Sequence, residues 1–135
     1  MNAQLINLPK IEDPRGNLSF VQDFDQIPFK IARIYWIYDV PGGQELGRHA
    51  HKNHQEFIIA LSGSVDIVVD DGSDTQKFQL NRSYYGLYLG NCTWRYMENF
   101  STNSLILVLS SSKSSVEDYI DDYQEYLKYR KHAGC

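Results

Sequence analysis

Two histidines and a glutamate lie at a spacing that could support proton transfer or metal binding. His49 and His51 are two residues apart within the segment GQELGRHAHKNHQEFIIALSG, residues 43–63, and Glu56 follows shortly after them. Residues i and i+2 of a β-strand project from the same face, so the two imidazoles are expected side by side. Glu56 can return to the same cavity from the next strand. The three side chains could be metal ligands or an acid–base cluster, and solvent-facing polar residues are the plain alternative.

Short strands separated by turns must position these side chains. The segments are rich in β-branched and aromatic residues, as strands are, and Gly- or Asp-containing turns separate them. Strands are predicted at residues 18–22, 31–40, 57–61, 65–69, 75–80, 84–89 and 104–110. This spacing indicates an all-β sandwich or barrel over residues 1–112, within a single domain of residues 1–135.

The end of the chain changes its hydrophobic period. Apolar residues at helical spacing predict an amphipathic α-helix over residues 113–132: Val116, Tyr119, Ile120, Tyr123 and Leu127. Ser114 and Ser115 are its predicted caps, with Glu117 and Asp118 in capping-box positions. The helix is expected to pack against the barrel and to have a structural role.

Composition limits the classes of partner. The chain of 135 residues has a net charge of −4 and no stripe of basic residues, which disfavours a nucleic-acid partner. The longest apolar run, residues 105–109, is too short to span a membrane, and no signal peptide is visible. A cytoplasmic protein is therefore expected. Cys92 and Cys135 form no disulfide framework in the sequence, and surface positions are expected for His54 and His132.

The histidine segment resembles the first motif of the cupins. Gly43, His49, His51, Glu56 and Gly63 match that motif position for position. The resemblance implies a cupin fold, a jelly-roll β-barrel, here followed by the C-terminal helix. Metal-binding cupins usually supply a further histidine from a later strand, where this chain has Arg95. Because arginine has no lone pair and carries a fixed charge, it opposes a metal there, whereas Glu56 keeps the metal question open.

A larger set of segments resembles one cupin family, the WxcM-like sugar nucleotide 3,4-ketoisomerases. These segments occur in order along nearly the whole chain: DPRG at 13–16, IPFKIARIY at 27–35, GRHAHK at 47–52, GLY at 86–88, WRYM at 94–97, NFS at 99–101, VL at 108–109 and DYI at 118–120. The resemblance implies an isomerase without a cofactor that acts on dTDP-4-keto-6-deoxyglucose, in the synthesis of bacterial surface polysaccharides. It also implies a homodimer that exchanges N-terminal strands.

The resemblance assigns roles to individual residues. His49 is the expected base at C3 of the sugar and His51 the expected carrier of a proton to C4, although the two roles could be exchanged. Tyr35 is expected to hydrogen-bond the sugar or to relay a proton. The expected substrate-binding residues are Arg15, Arg33, Arg48, Glu56, Trp94 and Arg95. For each arginine, a surface or structural ion pair is the alternative.

Several positions depart from the family pattern. Leu46 stands where the family usually has arginine, Glu56 where it has glutamine, and Arg48 where it has an aromatic residue. Because residues 46 and 48 share a strand face, Arg48 could supply the missing guanidinium. Two other functions remain open at this point. One is a metal-dependent cupin isomerase or dioxygenase using His49, His51 and Glu56, and the other is a non-catalytic cupin that binds a sugar nucleotide.

Overall fold

Two antiparallel five-stranded sheets form the body of the structure, a computed structural model that describes residues 2–133 and 135. The elements along the chain are β1 Ala3–Asn7, β2 Lys10–Ile11, β3 Leu18–Ser19, β4 Arg33–Tyr38, β5 Leu46–His51, β6 Glu56–Ser62, β7 Val65–Asp70, β8 Thr75–Leu80, β9 Tyr85–Leu89, β10 Trp94–Glu98, β11 Leu105–Ser110, a 3₁₀ turn Val116–Asp118, β12 Tyr119–Ile120 and α1 Tyr123–Ala133.

The strand order is that of a jelly roll. One sheet has the order β1-β9-β6-β11-β4 and the other β12-β5-β10-β7-β8, while β2 and β3 form a separate short hairpin. From β4 to β12 the chain crosses from one sheet to the other at each step except between β7 and β8, which pair as a hairpin, and the two sheets enclose the core. The prediction of an all-β barrel is confirmed. No predicted range covers β1, β2, β10 or β12, and β5 was expected only as the strand that carries His49 and His51.

The interior between the sheets is apolar. The side chains of β6 are divided between this interior and a second apolar cluster on the outer side of the sheet. Ile58 and Ala60 point into the barrel, whereas Phe57 and Ile59 pack on the outer side under Ile27 and neighbouring residues of the N-terminal segment. A strand that is buried on both faces reads as a continuous apolar run rather than as an alternating one. Glu56 shares the face of Ile58, so it lies at the end of the barrel interior.

The predicted helix over residues 113–132 is wrong in its first part. Residues 116–118 form the 3₁₀ turn, and β12 then pairs with β5, with Tyr119 opposite His51. The helix begins only at Tyr123, and Asp122 caps it by accepting a hydrogen bond from the Glu125 backbone N–H at 3.1 Å. Strand pairing prevails because it satisfies the backbone groups of β5 at the sheet edge. Val116, expected on the apolar stripe, is 91% exposed.

The helix closes one side of the barrel, and a disulfide at Cys135, beyond the end of the helix, ties the chain there. Tyr126 is fully buried beside Trp94, and its hydroxyl donates to the carbonyl oxygen of Cys92 at 3.0 Å. Cys92 forms a disulfide with Cys135, a pairing that was not predicted from the sequence. Two cysteines 43 residues apart carry no pairing pattern, and only the docking of the helix brings them together. No helix among the described residues has the length and apolar character needed to span a bilayer.

Candidate active site

A cavity of about 230 Å³ lies at the end of the barrel, lined by residues of β4, β5, β6 and β12 and of the loops that follow β5 and β11. Strand alternation directs Arg33 and Tyr35 of β4, His49 and His51 of β5, and Glu56 of β6 toward it. Arg95 of β10 and Ser110 of β11 contact these side chains from behind. The complete lining is Arg33, Tyr35, His49, His51, His54, Glu56, Ser114, Ser115 and Tyr119. The structure thus brings together the residues on which the sequence analysis relied most.

A bulge in β5 sets the direction of the two histidines. Arg95 lies opposite His49, but Met97 lies opposite Leu46, so β5 has one extra residue between these pairs. Gly47 occupies the bulge with φ of 77°, a backbone conformation that favours glycine.

The imidazoles of His49 and His51 meet at their Nε2 atoms. The two atoms are 3.1 Å apart, and the ring planes lie at 84° to each other. Arg95 donates to Nε2 of His49 from Nε at 3.0 Å, and its Nη2 is 2.8 Å from the same atom. Because arginine only donates, Nε2 of His49 carries a lone pair, and the proton of this ring is on Nδ1.

Glu56 balances the charge of Arg95 and joins the site into one network. Its carboxylate forms an ion pair with Arg95, and both residues are almost fully buried. It also accepts hydrogen bonds from the Tyr35 hydroxyl at 3.0 Å and from the Ser110 hydroxyl at 3.2 Å. Nε2 of His54 lies 3.3 Å from the same carboxylate. A buried ion pair needs such additional hydrogen bonds, since its desolvation is costly.

Burial and charge shift the pKa values of the site in consistent directions. Burial, followed by the positive charge of Arg95, lowers the pKa of His49 to about 2 and that of His51 to about 4. Burial alone would raise the pKa of Glu56, but Arg95 and His54 outweigh it and hold that pKa well below its usual value. Burial and the neighbouring Glu56 raise the pKa of Tyr35. Near neutral pH the histidines are therefore neutral, Glu56 is ionised and Tyr35 keeps its proton.

The donor groups do not suit a metal ion. His49, His51 and Glu56 are close enough to share one, but the lone pair of His49 Nε2 already accepts hydrogen bonds from Arg95. An ion at that place would meet the guanidinium charge at contact distance. A second group, His51, His54 and Asp118, is equally close. Its two imidazoles are stacked at 4.0 Å with planes 15° apart, so their in-plane lone pairs run nearly parallel and do not converge on one point.

Three of the predicted binding residues lie outside the cavity. Arg15 projects into solvent and pairs with Asp13. Arg48 pairs with Glu45 and covers the ring of Tyr96 on the outer face of the second sheet. Trp94 lies on that face too, because it alternates with Arg95 along β10, and it packs against the helix residues Tyr123 and Tyr126. The expectation that Arg48 replaces the guanidinium missing at Leu46 does not match this placement.

Sequence reasoning missed four residues around the histidines. His54, expected at the surface, is 3% exposed and stacks on His51. Tyr119 stacks on His49 with ring centroids 4.6 Å apart, although its spacing indicated a helix stripe. Asp118 approaches His51, and Ser110 hydrogen-bonds Glu56. The only sequence signal for Asp118 and Tyr119 was the family-like DYI segment at 118–120.

Comparison with known proteins gives a consistent set of relatives. Residues 1–131 match the family model described as FdtA, WxcM-like, C-terminal. The TDP-4-oxo-6-deoxy-α-D-glucose-3,4-oxoisomerase of Aneurinibacillus thermoaerophilus is 37% identical over 129 residues, which cover 96% of this chain and 93% of the relative.

Solved structures agree with this. The WlaRB TDP-quinovose 3,4-ketoisomerase of Campylobacter jejuni is 41% identical with a TM-score of 0.91, covering 94% of this chain and 98% of that one. A mutant of the QdtA 3,4-ketoisomerase of Thermoanaerobacterium thermosaccharolyticum, in complex with TDP-4-keto-6-deoxyglucose, is 34% identical with a TM-score of 0.94, covering 97% and 95%. With its barrel, its facing histidines and these relatives, the chain belongs to the WxcM-like family of sugar nucleotide 3,4-ketoisomerases, which are cupins.

Proposed function

We propose that this chain is an isomerase that converts dTDP-4-keto-6-deoxy-D-glucose to a dTDP-3-keto-6-deoxyhexose, for the synthesis of bacterial surface polysaccharides. The observation that carries the proposal is the contact between His49 and His51, whose Nε2 atoms are 3.1 Å apart at the cavity. The names of the relatives support the choice of substrate, since they are 3,4-isomerases of TDP-linked keto sugars.

The proposed reaction is a pair of proton transfers. The hydrogen on C3 leaves as a proton, an enediol-type intermediate forms, and a proton is added at C4. The hydroxyl on O3 loses its proton while O4 gains one, so the formula of the sugar is unchanged. Neutral imidazoles suit both carbon steps because they can accept a proton and then release it. We assign removal at C3 to His49 and delivery at C4 to His51.

Arg95 must leave His49 before His49 can act as a base. A base with a pKa of about 2 is weak, and its lone pair is occupied by the guanidinium. A bound keto or enediolate oxygen is a strong acceptor that would compete for the same N–H groups. Substrate would then free Nε2 of His49 and place the positive charge of Arg95 beside the developing oxyanion.

Two further residues complete the proposed site. Tyr35 keeps its proton and lines the cavity, so it can hydrogen-bond the sugar and relay a proton between its oxygens. Arg33 also lines the cavity, with its guanidinium 4.6 Å from the centre of the Tyr35 ring, and is exposed enough to hold the diphosphate. Arg15 lies far from such a role in the single chain, and its part in binding stays a prediction.

The test is to follow the sugar by NMR during incubation with dTDP-4-keto-6-deoxyglucose. We expect a 3-keto product with the wild-type protein and none above background with His49→Gln or His51→Gln. His132→Gln, at an exposed histidine of the helix, is the matched control and should leave the rate unchanged. Binding of the nucleotide sugar without conversion by the wild type would refute the isomerase and favour a non-catalytic binding protein. Activity that depends on stoichiometric metal would favour the metal-dependent alternative.

We further propose that two copies of the chain form the active dimer. Strand β4 is at the edge of its sheet, and the outer side chains Ile34, Trp36 and Tyr38 are each more than half exposed. An open edge next to an apolar surface is a common pairing surface for another chain. Exchange of N-terminal strands stays a prediction, since β1 pairs here with β9 of its own chain.

The oligomeric state can be measured by light scattering after size exclusion. Trp36→Lys should shift the protein from dimer to monomer, whereas Val116→Lys, at a position that is 91% exposed on another part of the chain, should not. A monomeric wild type would contradict this proposal.

We place the reaction in the cytoplasm, because nucleotide-linked sugars are made there. In that compartment the disulfide between Cys92 and Cys135 is expected to be reduced.

A further inference from the structure

A carboxylate lies on the side of His51 that faces away from His49. Oδ2 of Asp118 is 3.2 Å from Nδ1 of His51, and both side chains are largely buried. Neither atom has a well-aligned hydrogen-bond partner among the residues described in the structure. Hydrogen bonds between catalytic groups are often poorly aligned without substrate and tighten when it binds. The two atoms are thus placed for a bond that a small rotation of the imidazole would complete.

Asp118 is held in place by the backbone next to the histidines. Its Oδ1 accepts a hydrogen bond from the Asn53 N–H at 2.7 Å, and its carbonyl oxygen accepts one from the Lys52 N–H at 2.9 Å. The next residue, Tyr119, pairs with His51 itself across β12 and β5. One carboxylate oxygen is therefore used to fix the side chain, and the other remains for His51.

The neighbouring His54 does not compete for that oxygen. Its Nδ1 is 3.8 Å from Oδ2 of Asp118 but only 2.8 Å from the Ser112 hydroxyl. Its Nε2 points to the ionised Glu56, which can only accept, so Nε2 carries the proton and Nδ1 accepts from Ser112. His54 thus serves as a stacking platform under His51, and Asp118 interacts with His51.

We propose that Asp118 is a positioning residue that keeps the proton of neutral His51 on Nδ1. With Nδ1–H donated to the carboxylate, Nε2 of His51 carries a lone pair that faces the cavity. The 3.1 Å contact between the two Nε2 atoms is then not a hydrogen bond, because Nε2 of His49 carries a lone pair too. The proposal requires that the charge-assisted bond to Asp118 be stronger than a bond between the two imidazoles. When Nε2 takes up a proton during the reaction, the same carboxylate stabilises the imidazolium. The inference rests on the proposed function, because it concerns which nitrogen of His51 exchanges the proton with the sugar.

The variant Asp118→Asn separates this role from a structural one. Asparagine keeps the shape and an oxygen for the Asn53 N–H, but it places an amide donor against Nδ1 of His51. Nδ1 must then accept, and the proton moves to Nε2. We expect kcat to fall about 100-fold or more while KM stays within about threefold, as for other groups that orient a catalytic histidine. Asp121→Asn, the same loss of charge at an exposed position nearby, is the control and should leave kcat unchanged.

The tautomer of His51 can be read without any activity, from long-range ¹H–¹⁵N NMR spectra of the full chain. Wild type should show the Nδ1–H form and Asp118→Asn the Nε2–H form. An Nε2–H form in the wild type would overturn the proposal, as would an Asp118→Asn protein with wild-type kcat. So would a kcat loss that leaves the tautomer unchanged and only lowers the melting temperature. Absence of isomerase activity in the wild type would instead refute the proposed function, since the tautomer does not depend on substrate.

Discussion

The ion pair between Glu56 and Arg95 makes a quantitative prediction about stability. The two side chains are 2% and 3% exposed, so neither charge can be solvated if its partner is removed. Breaking a buried pair by removing one partner typically costs about 3–5 kcal/mol in the free energy of unfolding. Glu56→Gln keeps the shape of the side chain but leaves the guanidinium unpaired. Arg95→Met leaves the carboxylate unpaired, with only its bonds from Tyr35 and Ser110 and the contact of His54.

The double variant carries the decisive information. With both charges removed, no buried ion remains unpaired, so the combined loss should not exceed that of the worse single variant. The coupling free energy of the cycle is then about 3 kcal/mol or more, well above the error of about 0.5 kcal/mol expected for independent sites. In melting temperature, each single variant should lose roughly 10–20 °C.

The assay is urea unfolding followed by tryptophan fluorescence and circular dichroism at one fixed protein concentration, since a dimer would make stability depend on concentration. Asp66→Asn is a control for loss of a carboxylate, since Asp66 is only partly buried and accepts a bond from the exposed Asn99 side chain. Losses from Glu56→Gln and Arg95→Met that add within about 0.5 kcal/mol would refute the reasoning, because they would mean that the charges do not depend on each other.

Other predictions concern pH, the disulfide and metals. The pKa values of His49 and His51 in the folded chain lie at about 2 and 4, below the ordinary 6.5. From each of these pKa values up to pH 6.5, the unfolded chain therefore binds more protons than the folded chain. Their contribution to stability is complete above pH 6.5 and should fall by roughly 1.4 kcal/mol per pH unit per histidine as the pH drops below it, which urea titrations from pH 4 to 8 will measure. Cys135→Ser should lower the free energy of unfolding by about 2–4 kcal/mol in oxidising buffer and have no effect with excess dithiothreitol. Equal stability of the variant and the wild type in oxidising buffer would show that the disulfide does not form in solution. Dialysis against EDTA should leave the isomerase rate unchanged. A loss of activity that one divalent metal restores would favour the metal-dependent enzyme instead.

The sequence by itself determined the barrel and the faces of its strands. Alternation alone directs Tyr35, His49 and His51 to one interior, because every second side chain of a strand shares a face. The same rule separates Arg95 from Trp94, and Arg48 from His49, once the strand face is known. The expectations for Trp94 and Arg48 failed because they rested on the family resemblance and not on this alternation, which places both side chains on the outer face.

Only the tertiary structure decided what surrounds the histidines. The segment at 113–120 has helical spacing, yet it ends in a 3₁₀ turn and the short strand β12, because pairing with β5 satisfies the edge of the sheet. That pairing brings Asp118 and Tyr119 to the site. There Asp118 accepts a hydrogen bond from Asn53, which is 65 residues away in sequence. His54 is buried for a similar reason, since Ser112 and Glu56 supply its hydrogen bonds from other strands and loops. Local pattern specifies which face a side chain takes, whereas contacts distant in sequence decide whether its polar atoms find partners there.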